Sequence, residues 1–179
     1  MAGKLGLMES LRKSKEEFIA EWGALGPAWG MTRSVARIHA LLMISENPLT
    51  TDEIMEELSI SRGGAHGALK QLVAMGMATR AIRKGERKES FVGEKDPWKV
   101  FIAVMRERKR REVEPVLAVL DRCLEASGHI EGPEARSFSA QLARLKEFVA
   151  TGDRVMEKLG RAERSVIINW MLRLIDVKH

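Results

Sequence analysis

The residues with the clearest capacity for chemistry are basic, and they are concentrated in one stretch of the chain. Between positions 77 and 111 there are twelve Lys and Arg against five Asp and Glu, a net charge of +7. The whole chain carries only +5, so the remaining residues are slightly acidic. Clustered cations contact phosphate groups, which supply most sequence-independent affinity for nucleic acid. The pattern therefore predicts a nucleic-acid-binding surface in or beside this stretch.

A second candidate set directly precedes the basic stretch. Ser61 is a favourable helix N-cap, and Ala65, Leu69 and Leu72 follow it at the spacing of one helical face. The outer face of this helix then supplies the candidate contacts to DNA: Ser61, Arg62, Gly63, Gly64, His66, Gly67 and Lys70. Arg62 suits a bidentate contact to guanine. The glycines suit close approach of the backbone to DNA, the alternative being a merely marginal helix.

The elements that position these residues form a recognisable motif. Residues 50–53 match a capping box, and Ile54, Met55 and Leu58 give the short helix after it an apolar face. Gly76 is placed to terminate the second helix, which begins at Ser61. Two short helices joined by a tight turn predict a helix-turn-helix, with the second helix in the recognition position.

A β-hairpin is predicted directly after the second helix. Extended segments around Thr79–Ile82 and Ser90–Val92 flank a charged tip containing Gly85, and residues 49–50 could add a third short strand. The hairpin supplies candidate contacts to phosphates or to a minor groove: Arg83, Lys84, Arg87 and Lys88. The alternative is a solvated turn. A helix-turn-helix followed by a basic hairpin predicts a winged helix.

Helices are predicted on both sides of the winged helix. The first is expected to extend to about residue 28 and to be broken by Gly23, Gly26, Pro27 and Gly30. A long helical stretch at 98–127 contains Pro115, where a kink or a division is expected. A further helix at about 134–150 is expected to be followed by interruptions at Gly152 and Gly160. The segment 164–177 is apolar on more than one face, which predicts burial against a second subunit. We therefore expect a mainly α protein divided at 1–30, 31–96 and 97–179.

Other classes of function find little support in the sequence. The basic run 106–111 spreads around a helix, so a solvated surface with some ion pairs is favoured over direct contact with DNA. The four histidines and the single cysteine, Cys123, lack metal-ligand spacing, and no catalytic motif occurs in a suitable context. We expect no cofactor, no metal and no enzymatic activity. The absence of a membrane-spanning run, of a secretory signal and of paired cysteines favours the cytoplasm.

Several segments, in order, resemble the MarR superfamily, and in particular its GbsR-like branch of repressors of glycine betaine synthesis and uptake. They are 29–38 (WGMTRSVARI), 51–54 (TDEI), 58–63 (LSISRG), 69–72 (LKQL), 85–88 (GERK), 96–98 (DPW) and 111–115 (REVEP). The likeness covers about residues 15–125. It implies a winged-helix transcription regulator that dimerises through helices at both chain ends and reads a pseudo-palindromic operator.

The resemblance also implies an effector of the quaternary ammonium class, which would require an aromatic cage. The candidate walls are Trp22, Trp29, Trp98 and Phe101, each of which has ordinary packing as its alternative. The resulting hypothesis is a homodimeric DNA-binding regulator, expected to repress, with the recognition helix in the major groove. The alternative is a winged-helix adaptor for protein interaction that has no specific affinity for DNA.

Overall fold

The computed structural model describes residues 2–82 and 88–161, with side chains from residue 6 onward. The chain divides into two compact units, one ending at Val104 and the other beginning at Met105. The unit that ends at Val104 contains the predicted winged helix, and it is built on a pair of N-terminal helices.

The N-terminal helices are α1 (Ala2–Leu25) and α2 (Arg33–Ile44), separated by a 3-10 turn at Gly26–Trp29. Helix α1 runs through Gly23, which was expected to break it, and ends at Leu25, directly before Gly26 and Pro27. Glycine is needed at position 26, because a Cβ there would lie 2.7 Å from the Cβ of Ala36. Thr32 caps α2 by accepting a hydrogen bond from the amide of Val35 at 3.3 Å.

The helix-turn-helix follows a two-residue strand, β1 (Leu49–Thr50), and consists of α3 (Thr51–Leu58) and α4 (Arg62–Met75). The predicted capping box is present: the Thr50 hydroxyl accepts from the Glu53 amide, and the Glu53 carboxylate accepts from the Thr50 amide at 2.6 Å. Ser61 caps α4, and Gly76 ends it at φ 74°. Both predicted boundaries of α4 are confirmed.

The wing is the hairpin formed by β2 (Ala78–Ile82), β3 (Glu89–Gly93) and the connection between them. The strand order is β1-β3-β2, with antiparallel pairing throughout, and Phe91 pairs with Leu49 on one side and Arg80 on the other. The predicted third strand is therefore confirmed. Residues 83–87, which include the candidate contacts Arg83, Lys84 and Arg87, lie outside the described residues.

The core of the first unit lies between α2, α4 and the sheet. Ile38, Leu42, Leu69 and Leu72 are fully buried, as the helical spacing of Leu69 and Leu72 predicts for that pair. Met55, which the sequence places on the apolar face of α3, is only half-buried. Conversely, the core contains side chains that the apolar pattern did not mark, among them His39 and Met77. Met77 lies beyond the end of α4, where helical spacing does not apply, and His39 is a polar residue among the buried positions of α2, so a search for apolar residues misses it.

Helices α5 (Pro97–Arg108), α6 (Glu114–Ser127) and α7 (Pro133–Arg161) follow the wing, with a π-helical turn at Lys109–Val113 between α5 and α6. The division expected near Pro115 is confirmed. Proline has no N–H, so the ordinary hydrogen-bond ladder cannot continue through it unchanged.

The expectation that Gly152 and Gly160 interrupt the last described helix is wrong. Helix α7 runs through both positions to Arg161. A glycine in a helix interior costs about 1 kcal/mol relative to alanine, which good helix formers between the two glycines can offset. None of the helices in the described part of the chain is long and apolar enough to cross a membrane. The apolar segment 164–177 lies outside the described residues.

Candidate nucleic-acid interface

The N-terminal half of α4 presents an exposed face whose members match the sequence prediction. Ala65, Ala68, Leu69 and Leu72 point into the core. The predicted contact positions are all exposed: Ser61, Arg62, Gly63, Gly64, His66, Gly67 and Lys70. Burial of the other face fixes the helix on the domain, so this face is available for a partner.

The glycines of α4 are not required by packing within the described structure. A Cβ built at Gly63 or Gly67 meets no atom within 4 Å, and at Gly64 it meets the Ser61 hydroxyl at 3.3 Å. All three nevertheless reduce helix propensity. They leave the start of α4 flat, with backbone amides near the surface, as a helix N-terminus that approaches a phosphate requires.

One carboxylate joins the recognition helix to the wing. Arg62 donates to Asp52 Oδ1 at 2.6 Å, and Lys88 donates to Asp52 Oδ2 at 2.8 Å. The ammonium of Lys88 and the guanidinium of Arg62 hold the pKa of Asp52 below its usual value. The Asp52 side chain is 43% exposed, and those of Arg62 and Lys88 are 71% and 70% exposed. Two predicted contact residues from different elements therefore lie together on an open surface.

Asp52 was not predicted as a site residue, because in the sequence it is recognisable only as part of a helix start. It lies 10 residues from Arg62 and 36 from Lys88 along the chain. No local spacing rule connects positions so far apart, so only the tertiary structure brings them together.

The strands of the wing hold its described base in place. Arg80 pairs with Glu89 at 3.2 Å across the two strands, and the Ser90 hydroxyl donates to the carbonyl of Ala81 at 2.8 Å. Lys88 immediately precedes β3, so its position is set by this pairing. The orientation of the wing relative to α4 follows from the sheet, since β3 also pairs with β1 directly before α3.

The four aromatic residues proposed for a cage form two pairs. The rings of Trp22 and Trp29 are 4.7 Å apart, and those of Trp98 and Phe101 are 5.5 Å apart. No ring contact joins one pair to the other, although all four residues are described. The Trp22 indole donates to Nδ1 of His39 at 3.3 Å, which gives that ring a structural partner.

His39 is the one histidine that the described structure places in the core, at 0% exposure. Its Nε2 has no hydrogen-bond partner within the described residues. Because Nδ1 accepts from Trp22, a neutral ring carries its proton on Nε2. Burial lowers the pKa of His39 to about 4, so the ring is neutral at physiological pH.

Several side chains of the basic run 106–111 form ion pairs with acidic side chains. Lys109 contacts Asp153 at 2.9 Å and Glu157 at 2.7 Å, both on α7. Arg108 pairs with Glu112, and Arg110 pairs with Glu107. The predicted pairing with acids of a neighbouring helix is confirmed for Lys109, whereas Arg108 and Arg110 pair with acids three or four residues away in the chain.

Among the described residues, no group of three or more His, Cys, Asp and Glu is placed to hold a metal ion. The helix-turn-helix of α3 and α4, followed by the sheet of β1, β3 and β2, defines a winged-helix domain. Residues 29–88 match the model of the MarR family. This match agrees with the resemblance drawn from the sequence.

Two curated relatives from Bacillus subtilis (strain 168) each align with about half of the chain. The HTH-type transcriptional repressor GbsR is 31% identical over 86 residues, which are 48% of this chain and 47% of the relative. The HTH-type transcriptional repressor OpcR is 21% identical over 97 residues, 54% of this chain and 52% of the relative. The matches span about half the length of these relatives.

A solved structure, described as the crystal structure of a transcriptional regulator, has the same fold. It superposes with a TM-score of 0.63 at 24% sequence identity, over 83% of this chain and 97% of that chain. The likeness confirms the fold class, a mainly α protein with a winged helix and a small antiparallel sheet.

Proposed function

We propose that this protein is a DNA-binding transcription regulator that acts as a homodimeric repressor. The observation that carries the proposal is the open face on which the exposed side of α4 and the base of the wing lie together, joined through Arg62, Asp52 and Lys88. In this arrangement the start of α4 enters a major groove, and the wing follows the adjacent backbone or minor groove. The curated relatives are repressors, which supports repression.

The dimer is supported by an apolar face on α7. Its exposed large side chains are Phe138, Leu145, Phe148 and Val155. They recur at intervals of seven, three and seven, which places them along one side of a helix. A contiguous apolar face of this kind is typical of a protein interface. Two copies of α4 would then read half-sites about 34 Å apart.

The roles of the chain segments follow from this assembly. We assign residues 1–30 and 97–179 to support and dimerisation and residues 31–96 to DNA binding. Helix α1 also carries exposed apolar side chains, namely Leu7, Met8 and Leu11, which suit an interface. A cytoplasmic location is consistent with binding to chromosomal DNA.

The proposal also includes a small-molecule effector, which belongs to the class of quaternary ammonium compounds. Trp22 with Trp29, and Trp98 with Phe101, offer aromatic faces to such a cation. Choline added to the protein–operator complex is expected to change the affinity for DNA. Unchanged affinity with choline and glycine betaine would remove this class of effector from the proposal.

The decisive experiment compares the wild type with two variants on a duplex selected from a random pool by the protein itself. Arg62→Ala is expected to weaken binding by about 1–3 kcal/mol and to relax sequence preference, since a base contact is lost. Lys84→Ala, at the sequence-predicted wing tip, is expected to weaken all duplexes alike and to reduce the salt slope by about one.

The same experiment distinguishes the adaptor alternative. A protein-interaction module would select no duplex from the pool, and the affinities of the wild type and both variants for any fragment would be equal. Either result would overturn the proposed function.

A further inference from the structure

The contact between Asp52, Arg62 and Lys88 has an unusual location for an ion pair. A carboxylate on a surface that binds a duplex repels phosphates, and here it also occupies two of the cations that would neutralise them. Asp52 is therefore expected to reduce sequence-independent affinity.

Stability does not account for this contact. All three side chains are substantially exposed, and exposed ion pairs contribute little to the free energy of folding. The contact does have a geometric effect. It links α3, α4 and the residue that directly precedes β3, and it restricts the rotation of the Arg62 guanidinium.

The orientation of the Arg62 guanidinium matters because base edges and phosphates require different geometries of a bound cation. A bidentate contact to guanine requires a guanidinium held in one plane, whereas a phosphate accepts a cation from many directions. Arg62 uses one terminal nitrogen for Asp52, and its remaining N–H groups can address a base. An arbitrary phosphate, by contrast, must compete with Asp52 for the same cations.

We propose that Asp52 is a specificity-determining positioning residue, which orients Arg62 toward a base edge, holds Lys88 beside it and weakens binding to unrelated sequences. This inference rests on the proposed function, and it names a residue that raises the ratio of specific to non-specific affinity. Asp52 acts through Arg62 and Lys88 and needs no contact of its own with DNA.

The test measures dissociation constants for two 30-bp duplexes, one selected from a random pool by the wild-type protein and one with the same bases scrambled. Asp52→Asn removes the charge and keeps the size of the side chain. It is expected to tighten binding to the scrambled duplex by about 3- to 10-fold and to lower the specificity ratio by about 10-fold. The salt slope on the scrambled duplex is expected to steepen by about one to two, as the released cations contact phosphates.

Glu56→Gln is the matched control, since Glu56 lies one turn further along α3 and makes no ion pair within the described residues. It removes the same charge and should leave the specificity ratio unchanged. Asp52→Glu keeps the carboxylate, so its ratio of specific to non-specific affinity should be higher than that of Asp52→Asn. In an Arg62→Ala background, Asp52→Asn should lower the ratio much less than it does in the wild type.

Failure of this inference can be distinguished from failure of the proposed function. If the wild type selects a duplex but Asp52→Asn keeps its specificity ratio, or changes it no more than Glu56→Gln does, the inference is wrong and the proposed function stands. If Asp52→Asn lowers the ratio equally with and without Arg62, the positioning role is wrong. If the wild type selects no duplex, both proposals fall.

Discussion

The two compact units of this chain differ in whether they bury a core of their own. The unit ending at Val104 encloses fully buried side chains from α2, α3, α4 and the start of the sheet. In the described part of the other unit, residues 105–161, Leu120 is the only buried apolar side chain. The same helices expose Phe138, Phe148 and other large apolar groups.

This contrast indicates which part of the protein can stand alone. Burial of apolar surface is the dominant favourable term in folding, so helices that bury so little need a further partner for their apolar faces. The first unit has the means to fold around its own core. In the second unit, the exposed apolar side chains of α7 are those that the proposed dimer would bury.

The largest expected effect tests that explanation directly. Phe148 is 77% exposed on α7, and Phe148→Asp would place a charge within the proposed interface. We expect the dimer dissociation constant to rise by at least about 30-fold, since buried aromatic side chains are frequent interface hot spots. Sedimentation equilibrium measures the change, and Glu147→Ala at the neighbouring position serves as the control. Equal association of all three proteins would exclude Phe148 from a dimer interface.

A smaller effect is expected from the buried histidine of the first unit. The pKa of His39 is about 4 in the folded protein and near 6.5 when unfolded, so between these values the unfolded state binds more protons. Stability therefore falls as the pH falls through this range, by roughly 2 kcal/mol between pH 7 and pH 5. Urea unfolding at the two pH values measures the loss.

The comparison variant for this prediction is His39→Gln, which cannot titrate. Its absolute stability is expected to be lower, because a buried ring is replaced, but its unfolding free energy should depend less steeply on pH than that of the wild type. Parallel pH profiles for the two proteins would show that His39 is not the responsible group.

The smallest expected effect compares one glycine from each unit. A methyl group added at Gly67 in α4 or at Gly152 in α7 would meet no described atom within 4 Å, so alanine at either position should stabilise its helix by roughly 0.5–1 kcal/mol. Thermal unfolding measures this gain. Gly67→Ala should also weaken DNA binding, because the methyl group holds the backbone away from the duplex, whereas Gly152→Ala should leave DNA binding unchanged. If both variants bind DNA with the affinity of the wild type, the hypothesis that the backbone at Gly67 closely approaches DNA is wrong.

Local signals explain how much of the fold could be predicted. The capping box at Thr50, the N-cap at Ser61 and the termination at Gly76 are each determined within a few residues, and all three are present. The expected interruptions of α7 at Gly152 and Gly160 are absent because a glycine alone does not determine where a helix ends. A glycine shifts the local balance by only about 1 kcal/mol, so the rest of the helix decides the outcome.

Interactions between near neighbours in the chain specified the winged-helix class and the exposed face of α4, because helix caps and the spacing of apolar residues act over one or two turns. Packing of distant elements was needed to bring Asp52 to Arg62 and Lys88 and to place His39 in the core. Those relations join elements that are far apart in the chain. They arise when the core of α2, α3, α4 and the sheet is assembled, and no local pattern records them.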